Sequence, residues 1–280
     1  MKTVIFIYNF PHKKTQDFLI RLSLSGIKPD LVIASPPVQL KLPKSILKDK
    51  YKHIDLIDPK FLCQLLKIRY IESKHNSTET VQILKDLAPD IGIIAAARIL
   101  KSEVIDTFKI GIVNFHPGII PENRGLNAVK WAIFKNIPQG MTIHFIDKRI
   151  DAGKILKKLI IPIYRNDTIR DINLRIYETQ VVELSPVINS ILNNDYNLFE
   201  VPFSNEGYHP PTDESIDNAV IQKFNEYKDK WGIGDKGWTC KCGLSFRGFD
   251  KSSKLVCNHC GTEYKLRDKG IVALEEIFVI

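Results

Sequence analysis

The tightest constraint on the fold of this chain is a rhythm in its first half, where short apolar runs alternate with amphipathic stretches. Residues 3–8, 31–34, 54–57, 91–96 and 112–115 have the length and near-continuous apolar character of strands buried on both faces. Such strands, separated by helical patterns, predict a mostly parallel sheet with crossover helices on both faces. Asn76-Ser77-Thr78-Glu79 sets a capping residue three positions before a glutamate, and Val81, Leu84, Leu87 and Ala88 follow at helical spacing. The pattern therefore predicts a helix from that cap to Pro89. After residue 120 the rhythm changes. Residues 126–135 and 167–192 read as helices, and 141–146 and 155–163 as strands close enough to pair antiparallel at the sheet edge. Residues 193–214 read as a linker and 215–227 as one more helix.

With 280 residues and 44% hydrophobic content, the chain buries a substantial core. The opening apolar run stops at Pro11 without a small-residue cleavage site, so it reads as a first strand rather than a signal peptide. No later run has the length of a membrane span. The expectation is a cytoplasmic protein with reduced thiols. A net charge of +8 favours anionic partners, although the lysines are spread along the chain as solvated faces would be.

The chemistry concentrates between residues 111 and 153. Along a strand, side chains alternate, so Asn114 and His116 share a face at the C-terminal end of the 112–115 run. In open α/β sheets that end is where ligands bind. Asp151 stands in an Ile-Asp-Ala-Gly turn after the following strand, from which a carboxylate folds back toward the sheet. An amide, an imidazole and a carboxylate brought together suit acyl transfer: attack on a carbonyl carbon makes an oxyanion, which needs donors where the charge develops. The carboxylate would orient the imidazole, favour its protonated form and relay a proton through water.

Four motifs in order carry a resemblance: Asn114-Phe-His116-Pro117, Ile120-Pro121-Glu-Asn-Arg124-Gly125, Gly140-Met-Thr142-Ile-His144 and Asp151-Ala-Gly153. Residues 90–160 resemble the catalytic core of the formyltransferase family, which includes glycinamide ribonucleotide, methionyl-tRNA and amino-sugar formyltransferases. A weaker similarity covers residues 1–228. The resemblance implies a Rossmann-like α/β fold and transfer of a formyl group from 10-formyltetrahydrofolate to an amine. It implies that Asn114, His116 and Asp151 are catalytic. It also implies that Arg98, Ile99, Leu100, Asp147 and Ile150 hold the folate, largely through backbone groups, and that Asn9, Phe10 and Arg124 face the acceptor. His144 is either a family histidine or a satisfied core residue.

Two departures stand out. Gly118 occupies a position where many members carry serine. The first strand ends in Tyr8-Asn9-Phe10-Pro11-His12, whereas glycinamide ribonucleotide transformylases have a glycine-rich turn that cradles the ribose phosphate. The acceptor expected here is a small amine, best read as a nucleotide-linked amino sugar. A charged tRNA is the alternative, though nucleic acid is not the favoured partner. A hydrolase of the same folate and a non-enzymatic protein- or RNA-binding scaffold also remain open. Such hydrolases usually carry a regulatory domain ahead of the core, and here the first strand begins at Thr3.

Four of the five cysteines, Cys240, Cys242, Cys257 and Cys260, crowd near the C-terminus in two knuckles, each ending in Cys-Gly. Four thiolates suit a tetrahedral structural zinc, and the segment resembles a zinc ribbon. The expected organisation is a catalytic domain over residues 1–228 and a zinc-ribbon-like module over 232–270. The module's aromatics either form a binding face or pack it against its neighbour.

Overall fold

The computed structural model describes residues 1–38, 41–47, 55–201, 207–233 and 262, and beyond these the backbone of five short strands. The chain divides into two compact units. One comprises Met1–Ile161 with Ile169–Phe224, the other Pro162–Thr168 with Asn225–Ile280.

The larger unit is built on a seven-stranded sheet. Its strands are β1 (Thr3–Tyr8), β2 (Leu31–Ser35), β3 (Tyr70–Glu72), β4 (Ile91–Ile94), β5 (Gly111–His116), β7 (Gly140–Phe145) and β8 (Ile155–Ile160). A two-residue strand, β6 (Arg124–Gly125), lies between β5 and β7 in sequence and pairs with β9 (Tyr208–His209). The spatial order is β3-β2-β1-β4-β5-β7-β8. The first five run parallel, as the apolar runs predict, and β7 and β8 pair antiparallel at the edge. Every residue of β2 and all but the last of β1 are buried, which is why these strands show no alternation in sequence.

Helix α1 (Lys13–Leu24) buries Thr15, Phe18, Leu19 and Leu22, a stripe at helical spacing, and His12 caps it by accepting from the Thr15 N–H at 3.3 Å. α2 (Pro59–Leu65) starts at Asp58, with proline at the first helical position. The expected strand at 54–57 does not form over its described residues: Asp55 takes a left-handed φ of 55°, and the chain moves directly into the α2 cap. The third parallel strand is β3 instead, whose Tyr-Ile-Glu sequence is too short to display a period.

Helix α3 (Thr78–Leu87) ends at Ala88 in the left-handed conformation just before Pro89, as the breaker predicts. Its cap is Ser77 rather than Asn76, since the Ser77 hydroxyl accepts from the Thr80 N–H at 3.1 Å. α3 and the short α4 (Ser102–Ile105) cover one sheet face over Val4, Phe6, Leu31, Ile33 and Ile112. α5 (Ala128–Lys135) precedes β7, and α6 (Ile169–Leu192) is the long predicted helix. α6 buries Ile169, Ile172, Ile176, Gln180, Leu184, Ile188 and Ile191 at intervals of three and four, which lays one stripe beside α1 on the opposite face. α7 (Glu214–Trp231) closes the fully described chain.

In the smaller unit Ile163 bridges to Gly232, and the Tyr164 N–H is held by the Asp167 carboxylate at 2.8 Å. Beyond α7 lie β10 (Trp238–Thr239) with β11 (Ser245–Phe246), and β12 (Leu255–Val256), β13 (Glu263–Arg267) and β14 (Gly270–Ala273), all paired antiparallel. Cys240, Cys242, Cys257 and Cys260 lie outside the described residues. Among the described residues no helix is long and apolar enough to cross a membrane.

Candidate active site

Antiparallel pairing of β5 with β7 sets Asn114 opposite His144 and His116 opposite Thr142. Residues 146–154 then turn back toward these strands. Asp151 adopts a left-handed φ of 46°, and at Gly153 an added Cβ would lie 1.8 Å from the Phe145 carbonyl, so only glycine permits this close return. Arg124 Nη1 donates to the Ile150 carbonyl at 3.0 Å and Arg149 Nη2 to the Ala152 carbonyl at 2.9 Å, tying the turn down on both sides of Asp151.

The result is a carboxylate at the centre of a small polar cluster. Asp151 Oδ1 accepts from Asn114 Nδ2 at 3.3 Å and lies 3.7 Å from His144 Nε2. Asp151 Oδ2 accepts from the Gly125 N–H at 3.0 Å and lies 3.4 Å from His116 Nδ1. Both imidazoles commit one nitrogen to a backbone carbonyl. His116 Nε2 donates to the Asn123 carbonyl at 2.8 Å and His144 Nδ1 to the Phe145 carbonyl at 3.1 Å. Carbonyls only accept, so the nitrogens left facing Asp151 are bare while the rings are neutral. In that state His144 Nε2 accepts from Asn114 Nδ2 at 3.3 Å. A single proton added on either ring converts a bare nitrogen into a donor aimed at the carboxylate.

The electrostatics favour that poised state. Burial is the largest influence on His116 and holds its pKa below 6.5, with His144 and Lys14 pushing the same way against the pull of Asp151 and the Asn123 carbonyl. Burial also acts on Asp151, raising its pKa, but His116, His144 and the Gly125 N–H outweigh it and hold the carboxyl well below its usual 3.8. At neutral pH the cluster is a carboxylate beside a neutral His116, able to accept one proton. Gly118 belongs to this design, because a Cβ there would lie 2.3 Å from the Asn123 carbonyl that holds His116.

Residues 31–188 match the family described as Formyl transferase, more than half of the chain. The chain belongs to the formyl transferase family. Methionyl-tRNA formyltransferase of Clostridium tetani is 30% identical over 131 residues, covering 46% of this chain and 42% of that protein. The trifunctional purine biosynthetic protein adenosine-3 of Chironomus tentans is 31% identical over 118 residues, 42% of this chain and 9% of that protein. The chain thus spans less than half the length of these curated relatives. Among solved structures, a sugar N-formyltransferase from a Shewanella species superposes with a TM-score of 0.56 at 18% identity, covering 88% of this chain and 96% of the other. An N-formyltransferase from Helicobacter canadensis, solved with folinic acid and dTDP-3-aminofucose, superposes with a TM-score of 0.57 at 22% identity and 82% coverage of both chains. At these identities the structures establish a shared fold.

The remaining residues singled out in the sequence fall into three places. Arg98, Ile99 and Leu100 form the loop between β4 and α4, with Ile99 exposed, Leu100 buried and Arg98 near the Tyr8 hydroxyl, whose pKa it pulls down against the larger effect of burial. Asp147 and Ile150 flank the Asp151 turn, and Asp147 pairs with Arg149 at 2.5 Å. A cavity of about 650 Å³ opens beside that turn, lined by Ile105, Phe108, Gly111, Ile146, Asp147 and Arg149 among others. It lies at the N-terminal end of β5, and Asn114, His116 and Asp151 do not line it.

Asn9 and Phe10 lie at the end of β1, where Asn9 Nδ2 reaches Glu72 at 3.3 Å and Phe10 stacks on Tyr8 with ring centroids 5.2 Å apart. Arg124 is 2% exposed and braces the Asp151 turn, so its observed contacts are structural. Sequence reasoning passed over Asn123 and Gly125, whose backbone groups orient His116 and Asp151. Their one signal was membership of the Pro-Glu-Asn-Arg-Gly loop. It also passed over Lys14, a half-buried lysine 3.4 Å from the Phe115 carbonyl whose pKa is lowered by desolvation to about 8. Among the described residues no group of His, Cys, Asp and Glu side chains is arranged to hold a metal.

Proposed function

We propose that this chain transfers the formyl group of 10-formyltetrahydrofolate to an amine, with Asn114, His116 and Asp151 as its catalytic residues. The observation that carries this reading is Asp151, ionised and set between Asn114 and His116. The amine attacks the formyl carbon, a C–N bond forms, and the carbonyl oxygen takes the negative charge. Asn114 Nδ2 donates to that oxygen after releasing His144 or Asp151, which hold its two hydrogens at rest. His116 takes a proton on Nδ1, which then donates to Asp151, and the resulting imidazolium offsets the oxyanion through its charge. The proton lost by the attacking nitrogen passes through water and this cluster to N10 of the folate as the C–N10 bond breaks. Family membership supports the folate donor.

The acceptor we assign is a small amine, a nucleotide-linked amino sugar. Two features support it: Tyr8, Phe10 and Pro11 stand where a phosphate-cradling turn would need glycine, and the solved relatives include a sugar N-formyltransferase and an N-formyltransferase solved with dTDP-3-aminofucose. A second reading, a charged tRNA, is favoured by the curated relatives named methionyl-tRNA formyltransferases. One assay separates them. The purified chain is given 10-formyltetrahydrofolate with an amino-sugar nucleotide, with methionyl-tRNA, or with neither, and formylated product and free formate are measured. Product only with the sugar nucleotide supports our assignment. Product only with tRNA overturns the acceptor, and formate without any amine makes the chain a hydrolase.

We also propose that residues 232–270 form a module separate from the catalytic domain of residues 1–228, its fold held by a structural zinc on Cys240, Cys242, Cys257 and Cys260. In sequence, each cysteine pair falls between two strands that pair antiparallel, as in a ribbon. Metal analysis of the full chain should find about one zinc per chain. Absence of zinc from protein purified without chelator would sink this assignment.

A further inference from the structure

Asn76 is free of the helix cap expected of it. Ser77 caps α3 in its place, and Glu79, the predicted reciprocal partner, turns to the Ser73 hydroxyl at 2.9 Å. The Asn76 side chain reaches across to the loop after β4. Its Nδ2 donates to the Ile99 carbonyl at 2.9 Å and its Oδ1 accepts from the Lys101 N–H at 2.8 Å.

One side-chain amide thus grips the two peptide planes on either side of the Leu100 Cα. In a trans peptide the carbonyl and the N–H point in opposite directions. Drawing the Ile99 carbonyl toward Asn76 sends the Leu100 N–H away from it. Drawing the Lys101 N–H toward Asn76 sends the Leu100 carbonyl away as well. Leu100 therefore presents a donor and an acceptor together on the face turned from Asn76. Among the described residues no protein group takes either one, although Leu100 is only 4% exposed. A sheltered backbone pair left without partners is costly unless something else fills it.

We propose that Asn76 is a positioning residue that holds the Leu100 N–H and carbonyl as a preformed pair for the edge of a planar heterocycle carrying a neighbouring acceptor and donor. The pterin of the folate donor is such a heterocycle. This rests on the reading of Arg98, Ile99 and Leu100 as part of the donor site. Asn76 binds no ligand itself; it fixes the two planes before the ligand arrives, so the ligand does not have to order them.

The test uses tetrahydrofolate with the full chain, its Asn76→Ala variant and its Asn76→Asp variant, the last placing a carboxylate against the Ile99 carbonyl. Amide spectra are recorded with and without tetrahydrofolate, alongside Kd, KM for the formyl donor, and kcat. Asn76 is exposed, so both variants should fold with melting temperatures close to wild type. In the wild type, tetrahydrofolate should shift the Leu100 amide strongly. Both variants should raise Kd and donor KM about tenfold, as loss of one or two hydrogen bonds does, with kcat at saturating donor within about twofold. If tetrahydrofolate binds the wild type without moving the Leu100 amide, the donor-site reading of this loop fails. If the amide moves but the variants keep wild-type Kd and KM, that reading stands and the role of Asn76 is overturned. A fall in kcat with unchanged KM also overturns it.

Discussion

Asp217 and Asp151, both largely withdrawn from water in the larger unit, are satisfied very differently. Asp217, on α7, is fully buried. Its Oδ2 takes the Ser45 hydroxyl at 2.7 Å and the N–H groups of Ile46 and Leu47 at 3.0 and 3.1 Å, while Oδ1 meets Lys130 Nζ at 2.9 Å. Lys130 is itself 2% exposed. Asp151 also has four neighbours, but three stand at 3.3 to 3.7 Å, and two of those are nitrogens of imidazoles whose other nitrogen is held by a backbone carbonyl. The first arrangement is a closed latch that pins residues 45–47 to α5 and α7. The second has slack and room for one proton, the looseness typical of catalytic groups before substrate tightens them. A buried acid tightly matched to a lysine serves the fold. The one loosely matched to histidines is the one we assign to chemistry.

The comparison is broken most forcefully at the latch. Lys130→Met leaves Asp217 buried without its counter-charge and should cost about 3 to 5 kcal/mol of stability in urea unfolding. The kcat of the protein that remains folded should be unchanged. A large fall in kcat would mean that the latch belongs to the active site.

The converse experiment is next in size. His116→Ala or Asn114→Ala should lower kcat about 10²- to 10³-fold, the loss typical of an oxyanion donor, with the urea midpoint close to wild type. A variant that keeps more than a tenth of the activity with saturating folate removes that residue from the chemistry.

Asp151→Asn keeps the shape of the side chain and removes both the charge and the proton acceptor. Turnover should fall by about 10²-fold, and the acid limb of the pH profile should change with it. A near-normal rate with an unaltered profile would reduce Asp151 to a turn residue.

The smallest effect is the pH dependence of stability. Both Asp151 and Asp217 have folded pKa values below 3.8, so each contributes stability above that value, and the contribution is lost as pH falls through the lower folded pKa. His116 has the opposite protonation preference: its folded pKa lies below 6.5, so folding disfavours its proton, and stability declines as pH falls from 6.5 through the folded value. His75 and His209 share that direction. In urea titrations from pH 8 to 3, His116→Ala should therefore show a shallower decline just below neutrality than wild type, and a smaller loss at acid pH as well, because His116 is among the groups that lower the Asp151 pKa. An identical slope in both would place His116 outside this accounting.

Much of this was legible in the sequence for a simple reason. Burial on both sheet faces writes itself as apolar runs, and helices facing a sheet write themselves at spacings of three and four, so β1, β2, β4, β5, α3 and α6 appear close to where they were expected. Asn114 and His116 were legible because two residues apart on a strand means one shared face. β3 was not, because three residues carry no period, and the 54–57 run misled because apolar content alone does not distinguish a strand from an approach to a helix cap. Asn76 fits a cap by pattern, and only its distance from Ile99 and Lys101 in space shows otherwise.

What the sequence determined by itself is therefore the layered α/β architecture and the residue types available at the end of β5, since both follow from local periodicity. What only the tertiary structure decided is which groups meet there. The left-handed turn at Asp151, the carbonyls of Asn123 and Phe145 that fix the two imidazoles, the Lys130–Asp217 latch and the hold of Asn76 on residues 99–101 join positions up to 87 residues apart. Those contacts depend on how the chain returns in three dimensions, and no local pattern encodes the distance between two returns.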